Sequence, residues 1–288
     1  MPELPEVETV RSGLANAIVG RTIRNTSIFH HRAINPKSEF DFAILEGQKV
    51  ISVGRRGKFL WIRTQGSLNL VAHLGMSGQF LIQPKRKTDE VHLRARISFT
   101  KGTDELRFID QRTFGWLAIS GDGPEVPLMA SHIARDLFDP EFNTKLVVES
   151  ILLKKSEIKR VLLDQKVLSG IGNIYADESL WRARIHPQTA ANSLTRRQLS
   201  NLLRQATAVM SEALAVGGTS FDELYVNVNG QSGYFDRTLA VYGREGEPCD
   251  RCGTPIIRIS FANRSSHLCP KCQIWPAISA GGTIFENR

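Results

Sequence analysis

Residues 249–272 read CDRCGTPIIRISFANRSSHLCPKC, and they hold all four cysteines of the chain. The pattern is Cys249-x2-Cys252, sixteen residues, then Cys269-x2-Cys272. Each C-x2-C pair lets two sulfurs meet one tetrahedral ion, and an intervening hairpin brings the pairs together. The spacing predicts a small module closed around one Zn2+. A shell of four thiolates leaves no position for water, so this zinc is expected to be structural and zinc hydrolysis is not the chemistry. His267 lies near the third cysteine and is a competing donor. With four sulfurs in reach it is expected at the tip of the finger instead. Four clustered cysteines suit a metal in a reducing compartment better than a disulfide set. Arg251, Arg258, Arg264 and Lys271 stand here against few acids. That fits a module touching phosphate, or simply a solvated charged face.

Upstream of the finger the period is helical from about 143 to 216. Leu199, Leu202, Leu203, Ala206, Val209, Met210, Ala213 and Leu214 form one apolar stripe. Thr195 is a candidate N-cap and Gly217-Gly218 a candidate stop. Earlier helices are expected over about 144–153, 157–164 and 174–183. The Gly-, Asn- and Ser-containing stretch 219–245 predicts a long functional loop. Residues 121–142, with Gly121, Gly123, Pro124, Pro127 and Pro140, read as a connection holding a short helix at His132–Leu137. From about 21 to 120 the signal is β. Leu68, Leu70, Ala72 and Leu74 alternate, as do Ala95, Ile97 and Phe99, and then Leu106 and Phe108. Lys101-Gly102-Thr103-Asp104 reads as a hairpin turn, and short strands at this spacing suggest a sandwich or barrel. Val7, Val10, Leu14, Ala17 and Ile18 place an amphipathic helix at the start, with acids in its first turn.

The chain has 288 residues, which suggests about two domains. Its 37 Lys+Arg against 29 Asp+Glu leave a net charge of +8, which favours a polyanionic partner without deciding one. With 41% apolar residues, there is material for a core, which argues against wholesale disorder. No apolar run approaches the roughly 18 residues that span a bilayer. The start MPELPEVETV lacks the basic end and apolar stretch of a secretion signal. A cytosolic protein is the expectation.

Several runs then appear in order: PELPEVE (2–8), HLGMSG (73–78), DQRTFGW (110–116), SGIGNIYADE (169–178), GYFDRTLAVYGREGEPC (233–249) and the four-cysteine finger. Together they resemble the formamidopyrimidine-DNA glycosylases, bacterial base-excision enzymes for oxidised purines such as 8-oxoguanine. The resemblance runs from Pro2 to Gln273. It implies an α+β multidomain fold: an N-terminal β-sandwich with flanking helices (1–131), a helix–two-turn–helix domain with a lesion-capping loop (132–244), the zinc finger (245–273) and a tail (274–288). Duplex DNA is expected in the cleft between the domains.

The resemblance also implies roles. Pro2, read alone, is an ordinary proline at a helix start. With Met1 removed it becomes a secondary amine that attacks the sugar C1′, expels the damaged base and leaves an iminium ion. Glu3, alone a helix N-terminal acid, would handle protons during ring opening and base departure. Lys58, in the basic turn Arg55-Arg56-Gly57-Lys58, would contact phosphate and act as an acid in β-elimination. Met76, Arg112 and Phe114 match the wedge that fills the vacated duplex: Met in the hole, Phe between neighbouring bases, Arg on the estranged cytosine. Without the family, Met76 and Phe114 would be read as core. Asn173 would hold a phosphate together with Lys155 and Arg264, and Arg264 would take part in δ-elimination. His92 matches a family DNA contact, in looser surroundings. The 217–237 stretch matches a loop that closes over the flipped base.

His267-Leu268 departs from the family, which often carries aromatic residues there, and the tail extends past the usual end. Oxidised-pyrimidine glycosylases of the endonuclease VIII type share the fold but usually begin PEGPE. Leu4 and the Met/Arg/Phe set favour the oxidised-purine branch. A non-catalytic zinc-finger protein for damaged DNA is the other alternative. The expected partner is oxidised duplex DNA, bound by a monomeric enzyme at the bacterial nucleoid, with no membrane association.

Overall fold

The computed structural model describes residues 2–121, 126–218, 228 and 239–274. The chain divides into two units. The first comprises 1–142, 164–172 and 207–239, and the second 143–163, 173–206 and 240–288.

The first unit opens with α1 (Leu4–Ile18). Its buried residues Leu4, Val7, Val10, Leu14 and Ile18 recur at three- and four-residue spacing, the signature of one face turned inward. Glu6 caps its start, its carboxylate accepting the Glu3 N–H at 2.8 Å. The helix packs on β2 (Val50–Arg56) and β3 (Phe59–Thr64). The strands β1 (Ile23–Ile28), β4 (Asn69–His73), β5 (Gly78–Pro84), β6 (Leu93–Phe99), β7 (Asp104–Asp110) and β8 (Trp116–Ser120) complete two antiparallel four-stranded sheets. One has the order β1-β6-β7-β5 and the other β2-β3-β4-β8. A single apolar cluster drawn from both sheets and from α1 forms the sandwich core.

The expected alternation holds strictly on β6, where every second residue from Leu93 to Phe99 is buried. On β4 it does not, because four of the five residues are buried. Leu70 and Ala72 face the sandwich core, while Val71 packs with Trp61 and Ala130 on the opposite face. A sheet covered on both sides loses its period-two signal. On β7 the fully buried Arg107 reaches Glu105 at 2.8 Å, Glu90 at 2.9 Å and the carbonyls of Thr88 and Lys87 at 3.0 and 2.9 Å. It thereby pins the segment that leads into His92.

The short helix expected at 132–137 lies instead at α2 (Leu128–Ser131), directly after Pro127. His132 closes that helix in a turn, and no helix continues through 132–137. Asp136 bridges to Ser169, and its carboxylate accepts from Arg55 at 2.7 Å, Gly57 N–H at 3.0 Å and Phe138 N–H at 3.1 Å.

The second unit contains α3 (Thr144–Leu152), α4 (Ile158–Leu163) and α5 (Asn173–Ala183), close to the expected spans. It ends in the hairpin β9 (Ile257–Phe261) and β10 (Arg264–Leu268). The long helix α6 (Arg196–Ala215) starts at a reciprocal cap. Gln198 N–H donates to the Thr195 hydroxyl at 3.2 Å, and Gln198 Oε1 accepts the Thr195 N–H at 2.8 Å. It stops where Gly218 N–H returns to Ala213 O at 2.8 Å. Leu199, Leu202, Leu203, Ala206, Val209, Met210 and Ala213 of the expected stripe are all buried. The expected capping loop 217–237 lies outside the described residues apart from Gly217, Gly218 and Val228, and so does the tail from 275. No helix among the described residues is long and apolar enough to cross a membrane.

Candidate active site and metal centre

Pro2 and Glu3 are both buried, and the turn at 169–172 holds them in place. Leu4 N–H donates to Gly170 O at 3.0 Å, and Gly172 N–H donates to the Glu3 carboxylate at 2.6 Å. A side chain at position 172 would collide with that carboxylate. This explains the second glycine of SGIGN: the backbone must come close enough to clasp an acid. The result is an oriented carboxylate, only 3% exposed, on the residue that follows Pro2.

Lys58 sits at the β2–β3 hairpin turn and is 6% exposed. Arg55 anchors that turn. Its guanidinium meets Asp136 at 2.7 Å, Glu8 at 2.9 Å and the Gly57 carbonyl at 3.1 Å. Burial opposes the Arg55 charge, but Asp136 and then Glu8 outweigh it. On the neighbouring strand, burial and the Lys58 charge push His73 down to about 4. His73 is therefore neutral near pH 7 and adds no cation beside Lys58. Its Nδ1 accepts the Gly75 N–H at 3.1 Å.

Met76, Arg112 and Phe114 do not lie in the core. Met76 is 39% and Phe114 59% exposed, and Arg112 is exposed. Two short loops carry them, and buried Asp110 ties the loops together. One Asp110 oxygen accepts the Ser77 hydroxyl at 2.5 Å and the other accepts Gly115 N–H at 2.7 Å. Ser77 Oγ in turn accepts the Arg112 N–H at 3.0 Å. Gly75, at φ +61, lies against the backbone of Phe114 and Gly115, where a side chain would clash. The Asp110 N–H donates to the His92 carbonyl at 3.0 Å, and His92 is half-buried.

In the second unit Arg264 and Lys155 are exposed. Asn173, at the start of α5, donates its amide to Ser265 O at 3.1 Å, which ties Asn173 to the residue that follows Arg264. Ser77 and Asp110 were legible only as unassigned letters inside HLGMSG and DQRTFGW. Lys159, which contacts the finger, carried no signal in the sequence.

The four cysteine sulfurs lie within 4.8 Å of one another. Individual separations are 3.5 Å for Cys252–Cys269, 3.6 Å for Cys252–Cys272 and 3.9 Å for Cys249–Cys272. A tetrahedral zinc with ~2.3 Å bonds to sulfur places its ligands ~3.8 Å apart, so the set fits. Thr254 pulls the Cys252 thiol down to about 6, while burial and the adjoining sulfurs push Cys272 up to about 12. A cation held by all four sulfurs favours their thiolate form. Trp181 Nε1 donates to Cys249 Sγ at 3.4 Å, and the Arg251 guanidinium stacks 3.8 Å from the Trp181 ring centroid. His267 stands apart from the sulfur set. Its N–H donates to Asp177 at 2.9 Å and its ring meets Tyr242 edge-on.

Residues 1–117 match the formamidopyrimidine-DNA glycosylase N-terminal domain, 133–224 the H2TH domain of the same enzymes, and 246–274 the zinc finger found in FPG and IleRS. The chain is 53% identical over 287 residues to the formamidopyrimidine-DNA glycosylase of Salinispora arenicola, covering 98% of this chain and 100% of the relative. Among solved structures, the protein of Thermus thermophilus is similar at 37% identity with a TM-score of 0.82, covering 94% of this chain and 98% of that one. The Lactococcus lactis protein in complex with DNA containing an abasic site is similar at 31% identity with a TM-score of 0.83, covering 94% and 99%. A clasped N-terminal acid, a sandwich, an H2TH helix set and a four-sulfur finger thus recur in one order along nearly the whole length, and the chain belongs to the formamidopyrimidine-DNA glycosylase family.

Proposed function

We propose that the protein excises oxidised purines, 8-oxoguanine and formamidopyrimidines, from duplex DNA and then cleaves the abasic site. The clasp of Glu3 by Gly172 carries this reading. It fixes a nearly dry carboxylate on the residue next to Pro2, whose nitrogen becomes a free amine when Met1 is removed. Pro2 nitrogen attacks C1′ as the bond from C1′ to the base breaks. Glu3 manages the protons of base departure and sugar-ring opening, which leaves a positively charged iminium. That cation withdraws electrons from the sugar. Loss of a C2′ proton expels the 3′ phosphate (β-elimination), and a second elimination expels the 5′ phosphate, leaving a one-nucleotide gap. Lys58 contacts phosphate and supplies an acid for the first elimination, and Arg264 assists the second. Lys155 and Asn173 hold the backbone, and His92 adds a contact near the lesion. Met76, Arg112 and Phe114 occupy the space the flipped nucleotide leaves. The zinc bound by Cys249, Cys252, Cys269 and Cys272 is structural. We extend the reading to a monomeric enzyme acting in the cytoplasm at the nucleoid, where this substrate is.

The test compares duplexes carrying 8-oxoguanine opposite cytosine with duplexes carrying thymine glycol opposite adenine. Faster cutting of the first is expected, and faster cutting of the second would overturn the substrate assignment. The wedge has its own test. Ser77→Ala cuts the link between Asp110 and the Arg112 loop, and a lost hydrogen bond of this kind is worth roughly 1 kcal/mol. Excision of 8-oxoguanine is expected to slow by about fivefold, with cleavage of a preformed abasic site nearly unchanged. Equal slowing of both in single-turnover assays would remove Ser77 from the base-extrusion step.

A further inference from the structure

Lys159, on α4, is completely buried, and so is its partner Asp177 on α5 at 2.7 Å. Its ammonium also meets the finger at Ser265 O, 3.0 Å, and at Ser266 Oγ, 2.6 Å. The same ammonium lies 5.1 Å from the Phe261 ring centroid on β9, and Arg160 lies 5.6 Å from it. A buried lysine is uncommon, and packed apolar residues generally stabilise a core as well as a buried ion pair does. Stability alone therefore gives no reason for this pair.

The geometry supplies one. Ser265, Ser266 and His267 are consecutive on β10, directly after Arg264. Ser265 O accepts from both Lys159 and Asn173, Ser266 Oγ meets Lys159, and His267 N–H donates to the second oxygen of Asp177 at 2.9 Å. Phe261 pairs with Arg264 across the two-residue turn Ala262-Asn263. Both strands that flank this turn are thus held against α4 and α5, while Arg264 itself stays exposed. We propose that Lys159, together with Asp177, is a positioning residue for Arg264. It sets where the finger presents the Arg264 guanidinium relative to the Asn173 amide, so that the two grip one stretch of DNA backbone. This rests on the assignment of Arg264 and Asn173 to DNA made above.

The experiment uses full-length, zinc-loaded protein with Met1 removed. The probes are a duplex with a chemically stable abasic analogue for binding and a duplex with a natural abasic site for product analysis. Lys159→Met is expected to weaken binding about tenfold, the size of one lost charge-assisted contact. The slope of log affinity against log salt should fall by about one, although Lys159 is sealed from DNA. Product should shift toward β-elimination alone, with borohydride trapping through Pro2 unchanged. In an Arg264→Ala background Lys159→Met should add almost nothing, because it acts through that residue. Lys159→Met/Asp177→Asn removes both buried charges, keeps an acceptor for the His267 N–H, and should match the single variant while holding one zinc. Wild-type affinity, slope and products in Lys159→Met, with Arg264→Ala defective, would overturn the inference alone. An Arg264→Ala protein with wild-type binding and products would instead remove the role given to Arg264. Additive losses in the double variant, or failure of both Lys159 variants to hold zinc, would make Lys159 a folding element and overturn its positioning role.

Discussion

Glu3→Gln is expected to lower excision of 8-oxoguanine by roughly 10²–10⁴-fold, the range for loss of a positioned acid–base group. The substitution is nearly isosteric. The amide oxygen still accepts from Gly172 N–H, now at 2.6 Å, and the Glu3 N–H still reaches Glu6. The clasp therefore survives, and what disappears is the group that takes and returns protons. Zinc content, thermal stability and affinity for an abasic-analogue duplex should stay close to those of the parent. Single-turnover excision with excess enzyme separates the chemical step from binding. Excision at the parent rate would show that Glu3 is an ordinary helix-start acid.

The second large effect concerns Pro2. In the chain as written, Met1 precedes it, and the Pro2 nitrogen is then an amide whose lone pair is delocalised into the carbonyl. Protein that retains Met1 is expected to give no borohydride-trapped adduct, whereas processed protein gives one through Pro2. A free α-amine is also the better nucleophile near neutral pH, because its reference pKa of ~8 lies well below the ~10.4 of lysine. Pro2→Gly with Met1 removed keeps an α-amine and should keep part of the activity. The two forms are separable by intact mass, and the trapped residue by peptide mapping. An adduct on Lys58 or another lysine, formed equally well with Met1 in place, would overturn the role of Pro2.

Local order was legible wherever one element carries its own signal. The stripe from Leu199 to Ala213 forecast α6, because a single buried face repeats every 3.6 residues. The C-x2-C spacing forecast the sulfur cluster, because two ligands per turn fit one tetrahedral ion. The short helix near 130 was placed four residues late. Asp136 spends its carboxylate on Arg55, Gly57 and Phe138 and bridges to Ser169, and so keeps its own segment out of a helix. Met76 and Phe114 look apolar enough for a core and stand in solvent instead. Asp110, which grips both loops, and the Ser77–Arg112 bond hold them there.

The sequence by itself determined the family, the helix periods, the metal ligands and the order of the motifs, since these depend on residue type and short spacing. The tertiary structure decided which groups meet. Glu3 and Gly172 are 169 positions apart, and Lys159 and Ser266 are 107 apart. No local pattern encodes a contact at that range. A carboxylate clasped by a distant glycine, and a buried ammonium that steadies an exposed arginine, exist only once packing has removed water and the remaining donors and acceptors must find one another.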